Sequence, residues 1–334
     1  MARLKPRVVF YNLWPEFRAL ARRQLPGCTT RFVAAPLDLN NADRRAQVVG
    51  VFIDSRITAK ILARLPRLAA LATLSTGFDH IDLPACQKRR VVVMNVPSYG
   101  ENTVAEHTFA LILGLTRKLF ESVKRVKEGR YDFVGLRGVD LKDKTLGIIG
   151  TGRIGSHVAQ IARGFGLRVI AYDPHPNRAL SRELNFTYIS LPALLKQSDI
   201  ITLHSPLTPQ THHLLNAKNL KLLKRGAYLI NTARGALVDP AALYAALQSG
   251  ALAGAGLDVL EDENLIQHFE SVMQCSDCQL KTTLLNNLII DHPHTIVTPH
   301  NAFNSTEALA RIVHTTVENI RKFLPGRPQN VVGK

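Results

Sequence analysis

Leu146-Gly147-Ile148-Ile149-Gly150-Thr151-Gly152-Arg153-Ile154-Gly155 decides the fold of this chain of 334 residues. An apolar run ends in glycines spaced G-x-G-x-x-G, and a helical pattern, Arg153 to Arg163, follows at once. Three glycines alone are a weak signal, but a strand before them and a helix after them give each a purpose. Gly150 allows the tight turn, Gly152 lets a pyrophosphate approach the backbone, and Gly155 lets the helix pack on the strand. The helix N-terminus then offers amide donors and positive potential to phosphates. The next apolar run ends at Tyr172-Asp173, 18 residues past Gly155. An acid there accepts from ribose hydroxyls and repels a 2′-phosphate, so the reading is NAD rather than NADP, with Arg178 nearby softening the preference.

Outward from this motif, short apolar runs alternate with helical patterns over nearly the whole chain, the signature of βαβ units and parallel sheets. In the first third, strands are expected near Val8–Tyr11, Val48–Asp54, Ala70–Ser75 and Val91–Asn95, with a helix Thr58–Leu65. The middle offers Leu146–Gly150, Arg168–Tyr172, Ile200–His204, Tyr228–Asn231, Gly256–Val259 and Ile296–Thr298. A long helix is expected after Asn102, opened by a capping box, Thr103-Val104-Ala105-Glu106. Its run Phe109 to Leu115 is apolar on nearly every side, which suits a core or a subunit interface. A last helix is expected near Glu307–Leu324. The length fits two domains, and the fold class is α/β with doubly wound parallel sheets.

Composition narrows the class of protein. Apolar residues make up 46% of the chain, enough for real cores, and no uninterrupted apolar stretch suits a membrane span. Residues 2–31 carry seven basic residues against Glu16 alone, a composition similar to a transit peptide. Yet Val8-Val9-Phe10-Tyr11 reads as a buried strand and Arg18 to Leu25 as the helix after it, so this segment is read as mature fold and the protein as cytoplasmic. The net charge of +16 is scattered rather than gathered in a tail. A basic surface that attracts anions is expected, not a dedicated nucleic-acid site. Cys28 and Cys86 read as buried small apolar positions, and four cysteines in so long a chain suit a reducing compartment. Cys275 and Cys278 form a CxxC, to which a metal reading would add His292 and His294 as ligands, but no second tight pair surrounds them, and no metal site is expected.

Three strand ends carry groups with complementary chemistry. Asn231-Thr232-Ala233-Arg234-Gly235 follows one strand, Gly256 to Glu263 extends another, and Thr298-Pro299-His300 ends a third. In a doubly wound sheet the carboxyl ends of neighbouring strands converge on the ligand crevice. Reduction of a 2-keto acid needs a guanidinium for the carboxylate, a proton donor for the keto oxygen and a carboxylate to orient that donor. Arg234, His300 and Glu263 are those groups. A lone histidine is more often a satisfied core residue; it is placement at three strand ends that favours chemistry.

These residues resemble the D-isomer-specific 2-hydroxyacid dehydrogenase family over most of the chain. The resemblance runs through Ser75–Asp82, Asn95–His107, the glycine motif, His204–Thr208, Asn231–Asp239, Gly256–Glu263 and Thr298–His300. It implies a Rossmann NAD-binding domain, 102–300, and a flavodoxin-like substrate domain built from 1–101 and 301–334, with the active site in a cleft between them. It implies that amides of the loop at Thr76 and Gly77 hold the substrate carboxylate, that Tyr99 sits over the substrate, and that Phe303 lines its pocket. Arg153 and Ile154 would donate amides to the pyrophosphate. Asp173 would take the adenosine ribose. Ser205, Pro206 and Thr211 would contact the cofactor, and Thr232, Ala233 and Asp258 would line the nicotinamide side. Arg234 would bind substrate, Glu263 would partner the histidine, and His300 would be the acid or base. Homodimerisation through the nucleotide domain, with the helix after Asn102 at the interface, is also implied.

Two features point within the family toward its D-lactate dehydrogenase branch: Tyr99, and the 37-residue interval from Glu263 to His300. Cys275 and Cys278 fall in that interval and are read as insertion-loop residues. Thr76 stands where the similar loop of phosphite dehydrogenases has lysine, which argues against that substrate. Hydroxypyruvate, phenylpyruvate and phosphoglycerate enzymes remain alternatives on the same scaffold, as do NAD-sensing corepressors, which resemble the family and keep the same three groups. Trp14 is either a wall of an aromatic pocket or simple packing.

Overall fold

The computed structural model describes residues 5–263, 265 and 276–333. Cys275 and the side chain of Cys278 lie outside them. The chain forms two compact units, Met1–Gly100 with Asn304–Lys334, and Glu101–Phe303. The boundaries differ slightly from those read in the sequence: Asn301, Ala302 and Phe303 belong with the second unit, for a reason given below.

The first unit is a sheet of β1 (Arg7–Tyr11), β2 (Thr29–Val33), β3 (Val48–Val51), β4 (Ala70–Thr73) and β5 (Val92–Met94). Their order is β2-β1-β3-β4-β5, all parallel, and Val331–Val332 adds an antiparallel edge beside β5. That is the flavodoxin-like winding. β3 and β4 are buried at every position, which is why they read as plain apolar runs. β2 escapes such a reading: Thr29-Thr30-Arg31-Phe32-Val33 lies at the sheet edge and is nowhere fully buried. Thr58 caps the helix Ala59–Arg64, accepting from the Ile61 amide. Leu62, Leu65 and Leu71 are wholly buried, each worth about 1.5–3 kcal/mol against exposure. The helix Thr306–Phe323, capped by Ser305, covers the sheet with Ile312, Val313, Val317 and Ile320. Trp14 packs edge-on against Phe52 and Phe17, with ring centroids 5.3 and 6.4 Å away. Cys86 is buried, whereas Cys28 is only half-buried, a departure from the sequence reading.

The second unit is a seven-stranded parallel sheet: β6 (Thr145–Ile149), β7 (Arg168–Tyr172), β8 (Thr187–Tyr188), β9 (Ile200–Leu203), β10 (Ala227–Asn231), β11 (Leu252–Leu257) and β12 (Thr295–Val297). The order β8-β7-β6-β9-β10-β11-β12 is the Rossmann winding extended by one strand, with the switch in direction beside β6. The helix Glu101–Thr116 starts earlier than the sequence suggested, so Thr103 lies inside it and is buried. The capping box is therefore not formed; Asn102 Nδ2 donates to Glu106 Oε1 instead. Phe109, Leu111 and Ile112 place this helix in the core of the unit, against β10, β11 and β12. No helix among the described residues is long and apolar enough to cross a membrane.

Part of the N-terminal excess of arginines is used by the fold. Arg7 and Arg31 both donate to Asp43 Oδ2, at 2.7 and 2.8 Å from their Nη atoms, and Arg22 lies over the Phe32 ring. Burial disfavours the charge on Asp43, but the bonds from Arg7, from Arg31 and from the Arg45 amide outweigh it and hold the carboxyl below its usual range. A carboxylate with a depressed folded-state pKa stabilises above its unfolded value, about 3.9, and that contribution fades as pH falls through the folded value. Asp43→Asn is therefore expected to cost about 1–3 kcal/mol at pH 7, and the gap between the two proteins should close below about pH 4. Urea unfolding of both across pH 3–7 measures this; a gap that does not narrow in acid would rule the pairing out as its cause.

Candidate active site

The glycine motif takes the form its sequence implies. Gly150 follows β6 at φ +92°, and a Cβ there would sit 2.8 Å from the His204 carbonyl carbon and Ser205 Oγ. A Cβ on Gly155 would lie 2.0 Å from the Gly150 carbonyl oxygen, so the helix Arg153–Gly164 reaches the turn only as glycine. Gly152 caps that helix, and a Cβ on it would meet nothing within 4 Å. Its position opens onto space at the helix N-terminus, where the first-turn amides and the helix dipole favour an anion. Arg153 and Ile154 form the first turn, and the Arg153 guanidinium lies 3.6 Å from Glu101.

Asp173 is held in place by the chain itself. Its Oδ2 accepts from the Thr151 amide (2.8 Å) and hydroxyl (3.1 Å), and its Oδ1 accepts from the His175 amide (2.9 Å). A carboxylate offers about four lone pairs, so one on Oδ1 stays open to a hydroxyl. The loop after β9 closes on itself: Thr211 Oγ1 donates to the Pro206 carbonyl at 2.7 Å, and the Thr208 amide donates to Thr211 Oγ1. Ser205 sits against Gly150. Enclosure pushes the His204 pKa down to about 3, so this imidazole is neutral; its Nε2 pairs with Thr202 Oγ1 at 2.8 Å.

The loop after β10 is clamped by buried Asn231, whose Nδ2 donates to the Arg234 carbonyl and whose Oδ1 accepts from the Ala233 amide. Thr232 is buried and shares a hydrogen bond with Thr108. Arg234 Nη1 donates to the Ala233 carbonyl at 2.7 Å, bending the side chain back over its own loop. At Gly235 a Cβ would lie 2.0 Å from the Leu260 carbonyl carbon, so this glycine alone lets the arginine loop rest on the loop after β11.

That second loop carries Glu263. Its Oε2 accepts from the Leu260 amide at 3.1 Å, and its Oε1 lies 2.5 Å from His300 Nδ1. His300 has a left-handed backbone, φ +52°, rare for a side chain of its size. Buried Asp258 sustains it. Asp258 Oδ1 accepts from Thr298 Oγ1 (2.5 Å) and the Asn301 amide (2.9 Å), and Oδ2 accepts from the Ala302 amide (2.9 Å). These bonds are why residues 301–303 belong with this unit. His107, which the sequence did not single out, reaches Thr298 Oγ1 at 3.1 Å from the helix Glu101–Thr116. The two lie 191 positions apart in the sequence, and no local signal links them.

The second unit thus brings Glu263 to His300 and rests the Arg234 loop beside the Glu263 loop. The remaining expected substrate residues divide between units. Phe303 is in the second. Thr76, Gly77 and Tyr99 are in the first, where Asn95 Nδ2 donates to the Thr76 carbonyl, Ser75 Oγ to the Gly77 carbonyl, and Arg311 Nε to the Tyr99 carbonyl. His292 and His294 have ring centroids 5.6 Å apart.

Comparisons with known proteins identify the family. Residues 109–302 match the model of the D-isomer specific 2-hydroxyacid dehydrogenase, NAD binding domain. A 2-hydroxyacid dehydrogenase homolog of Zymomonas mobilis is 39% identical, covering 82% of each chain. A glyoxylate reductase of Aeropyrum pernix is 36% identical, covering 87% of this chain and 84% of that one. The crystal structure of D-lactate dehydrogenase from Aquifex aeolicus, complexed with NAD and lactic acid, superposes with a TM-score of 0.85 at 37% identity, covering 96% of both chains. A glycine turn at a helix N-terminus, an acid fixed at the end of the next strand and relatives of this closeness lead to one assignment: the chain belongs to the D-isomer-specific 2-hydroxyacid dehydrogenase family and is an NAD-binding oxidoreductase.

Proposed function

We propose that the chain interconverts a small 2-keto acid and its D-2-hydroxy acid, with pyruvate and D-lactate as the preferred pair. The observation that carries the reaction is the 2.5 Å contact between Glu263 Oε1 and His300 Nδ1 beside the Arg234 loop. Likeness to the Aquifex aeolicus D-lactate dehydrogenase supports the substrate, and the Glu263-to-His300 interval agrees with it. Likeness to a glyoxylate reductase supports a second reading, in which glyoxylate is the better substrate.

NAD, when bound, supplies or takes up the hydride. Gly150, Gly152 and Gly155 give its pyrophosphate room, the amides of Arg153 and Ile154 donate to it, and Asp173 accepts from its ribose. Ser205, Pro206, Thr211, Thr232, Ala233 and Asp258 form the rest of the cofactor wall. Arg234 takes the substrate carboxylate and polarises the keto oxygen, helped by the amides at Thr76 and Gly77. Tyr99 and Phe303 bound the substrate. Glu263 engages Nδ1 of His300, which leaves Nε2 to exchange protons. In reduction Nε2 gives its proton to the keto oxygen as the keto carbon becomes C–H; in oxidation the neutral imidazole takes the hydroxyl proton.

The same reading includes a homodimer. The helix Leu119–Lys127 buries none of its residues, and Leu119, Phe120, Val123 and Val126 are exposed. Tyr131, Phe133 and Val134, which follow, are 92%, 86% and 76% exposed. So much exposed apolar surface marks an interface, here with a second copy. A reducing, cytoplasmic setting accords with the free thiols of Cys28 and Cys86.

NADH oxidation is to be followed with pyruvate, glyoxylate, hydroxypyruvate, phenylpyruvate and 2-ketoisocaproate. Pyruvate is expected to give the highest kcat/KM, and D-lactate but not L-lactate to be oxidised; a clear lead for glyoxylate would transfer the assignment to the second reading. His300→Gln should lower kcat about 10²–10⁴-fold while NADH affinity holds. Undiminished turnover would remove His300 from the chemistry. Asp173→Ala should narrow the preference for NAD over NADP roughly 10–100-fold, the worth of one charge-assisted hydrogen bond. An unchanged ratio would deny the acid that role. Sedimentation of Phe133→Ser with Val134→Ser should show a shift from dimer toward monomer; a wild-type monomer, or an unmoved dimer, would refute the interface.

A further inference from the structure

At the end of β4 three side chains form a hydrogen-bond chain whose direction follows from its last member. Ser75 Oγ lies 2.6 Å from the Gly77 carbonyl oxygen, which can only accept, so the serine donates. Its one proton is then in use, and the 2.7 Å bond between Thr73 Oγ1 and Ser75 Oγ must be donated by the threonine. Thr73 has no second proton to give. The 3.2 Å bond between its Oγ1 and His80 Nε2 must therefore be donated by the imidazole. The order is His80 Nε2–H to Thr73, Thr73 to Ser75, and Ser75 to the Gly77 carbonyl. Thr73 is wholly buried and Ser75 is buried, so water is a poor substitute for any link.

The chain ends inside the loop after β4, and the two preceding carbonyls of that loop are captured as well. The Ser75 carbonyl accepts from the Val96 amide at 3.0 Å, and the Thr76 carbonyl from Asn95 Nδ2 at 2.8 Å. In a trans peptide the N–H points opposite to the C=O of the residue before it. Capture of the carbonyls of Ser75, Thr76 and Gly77 thus turns the amides of Thr76, Gly77 and Phe78 away from the captors. None of these three amides has an acceptor among the described residues. Successive amides left in this way suit an anion such as a carboxylate. The far end of the chain is anchored separately. The His80 carbonyl accepts from the Ile57 amide at 2.8 Å, and the Asp82 amide donates back to the Ile57 carbonyl at 2.9 Å, which ties the histidine to the loop after β3.

Taking these amides as donors to the substrate carboxylate, as in the reaction above, we infer that His80, Thr73 and Ser75 are positioning residues. Their one-way chain fixes the Gly77 carbonyl and with it the aim of the amides that receive the carboxylate. Ser75 acts on the peptide directly. Thr73 holds the serine in the rotamer that faces Gly77. His80, by donating to Thr73, commits the threonine's proton to the serine. A hydrogen-bond chain of this kind polarises each member in turn, so a link lost at His80 is felt at Gly77. The requirement is for a donor at residue 80 and hydroxyls at residues 73 and 75, not for the bulk of those side chains.

Two measurements on the full chain test this. The first is magnetic resonance of protein labelled with ¹⁵N at histidine and phenylalanine, at about pH 8, where a free imidazole is neutral. The His80 ring, assigned by the loss of its signal in His80→Gln, is expected as the Nε2–H tautomer, and Thr73→Val is expected to shift the Phe78 amide resonance. A proton on Nδ1 instead, or an unmoved Phe78 resonance, would overturn the chain whether or not the protein turns over a keto acid. The second is steady-state kinetics with pyruvate. Ser75→Ala, Thr73→Val and His80→Leu should each raise KM about 3–10-fold, the worth of one hydrogen bond, with kcat and NADH affinity held. Held NADH affinity also shows that the variants are folded. Thr73→Ser and His80→Gln keep the donors and should stay near the wild-type KM. A wild-type KM in Thr73→Val and His80→Leu, or equal losses in His80→Leu and His80→Gln, would overturn the positioning role. Turnover of no keto acid by the wild-type chain would end the assigned reaction instead, and the resonances alone would then decide the chain.

Discussion

A carboxylate shut away from water must find its hydrogen bonds within the chain, and at Asp258 that requirement shapes the site. Only 1% of this residue is exposed. An unpaired charge in such a place is costly, while one satisfied by short bonds from a hydroxyl and two amides is a firm anchor. Thr298, Asn301 and Ala302 supply those bonds, so the chain must turn tightly around residue 300. The left-handed backbone at His300 costs roughly 1–2 kcal/mol by itself. Charge-assisted bonds on either side offset that cost, and the imidazole is delivered to Glu263 as a result.

The same logic operates along the whole sheet edge. In a parallel sheet every strand ends on the same side, so each loop that follows is a potential contributor to one row of groups. β6 contributes the glycine turn, β7 Asp173, β9 the Ser205–Thr211 loop, β10 Arg234, β11 Asp258 and Glu263, and β12 His300. Other side chains hold these loops in shape: Asn231 beneath Arg234, Thr151 beneath Asp173, Asn286 beneath Glu261. Gly235 adds a steric condition, because two loops meet there at a distance no side chain permits.

What sequence reveals and what it hides divide along physical lines. The glycine motif was legible because each position answers to a local stereochemical need. Buried parallel strands were legible because both their faces are apolar. Strand ends then named Arg234, Glu263 and His300 without reference to contacts. Features set by distant partners were not legible. β2 carries polar residues at an edge, and the pair Val331–Val332 is too short to register as a strand. The cap signal at Thr103 misled because the helix begins two residues earlier, at Glu101. The hold of Asp258 on residues 298–302 spans some forty residues, and that of His107 on Thr298 spans 191; neither leaves a periodic trace.

The first unit is assembled from both ends of the chain, and synthesis runs in one direction. Its five parallel strands are complete by Met94, but the helix Thr306–Phe323 that roofs them and the edge partner Val331–Val332 emerge only after the intervening unit, residues 101–303. At roughly 5–20 residues per second the ribosome takes about 10–40 s to bridge that interval. Throughout it the apolar side of the nascent sheet lacks its cover and β5 lacks its neighbour. The second unit, continuous in the chain, meets no such delay. Birth order therefore gives this molecule a vulnerable adolescence, in which its opening third depends on shelter until the last residues arrive.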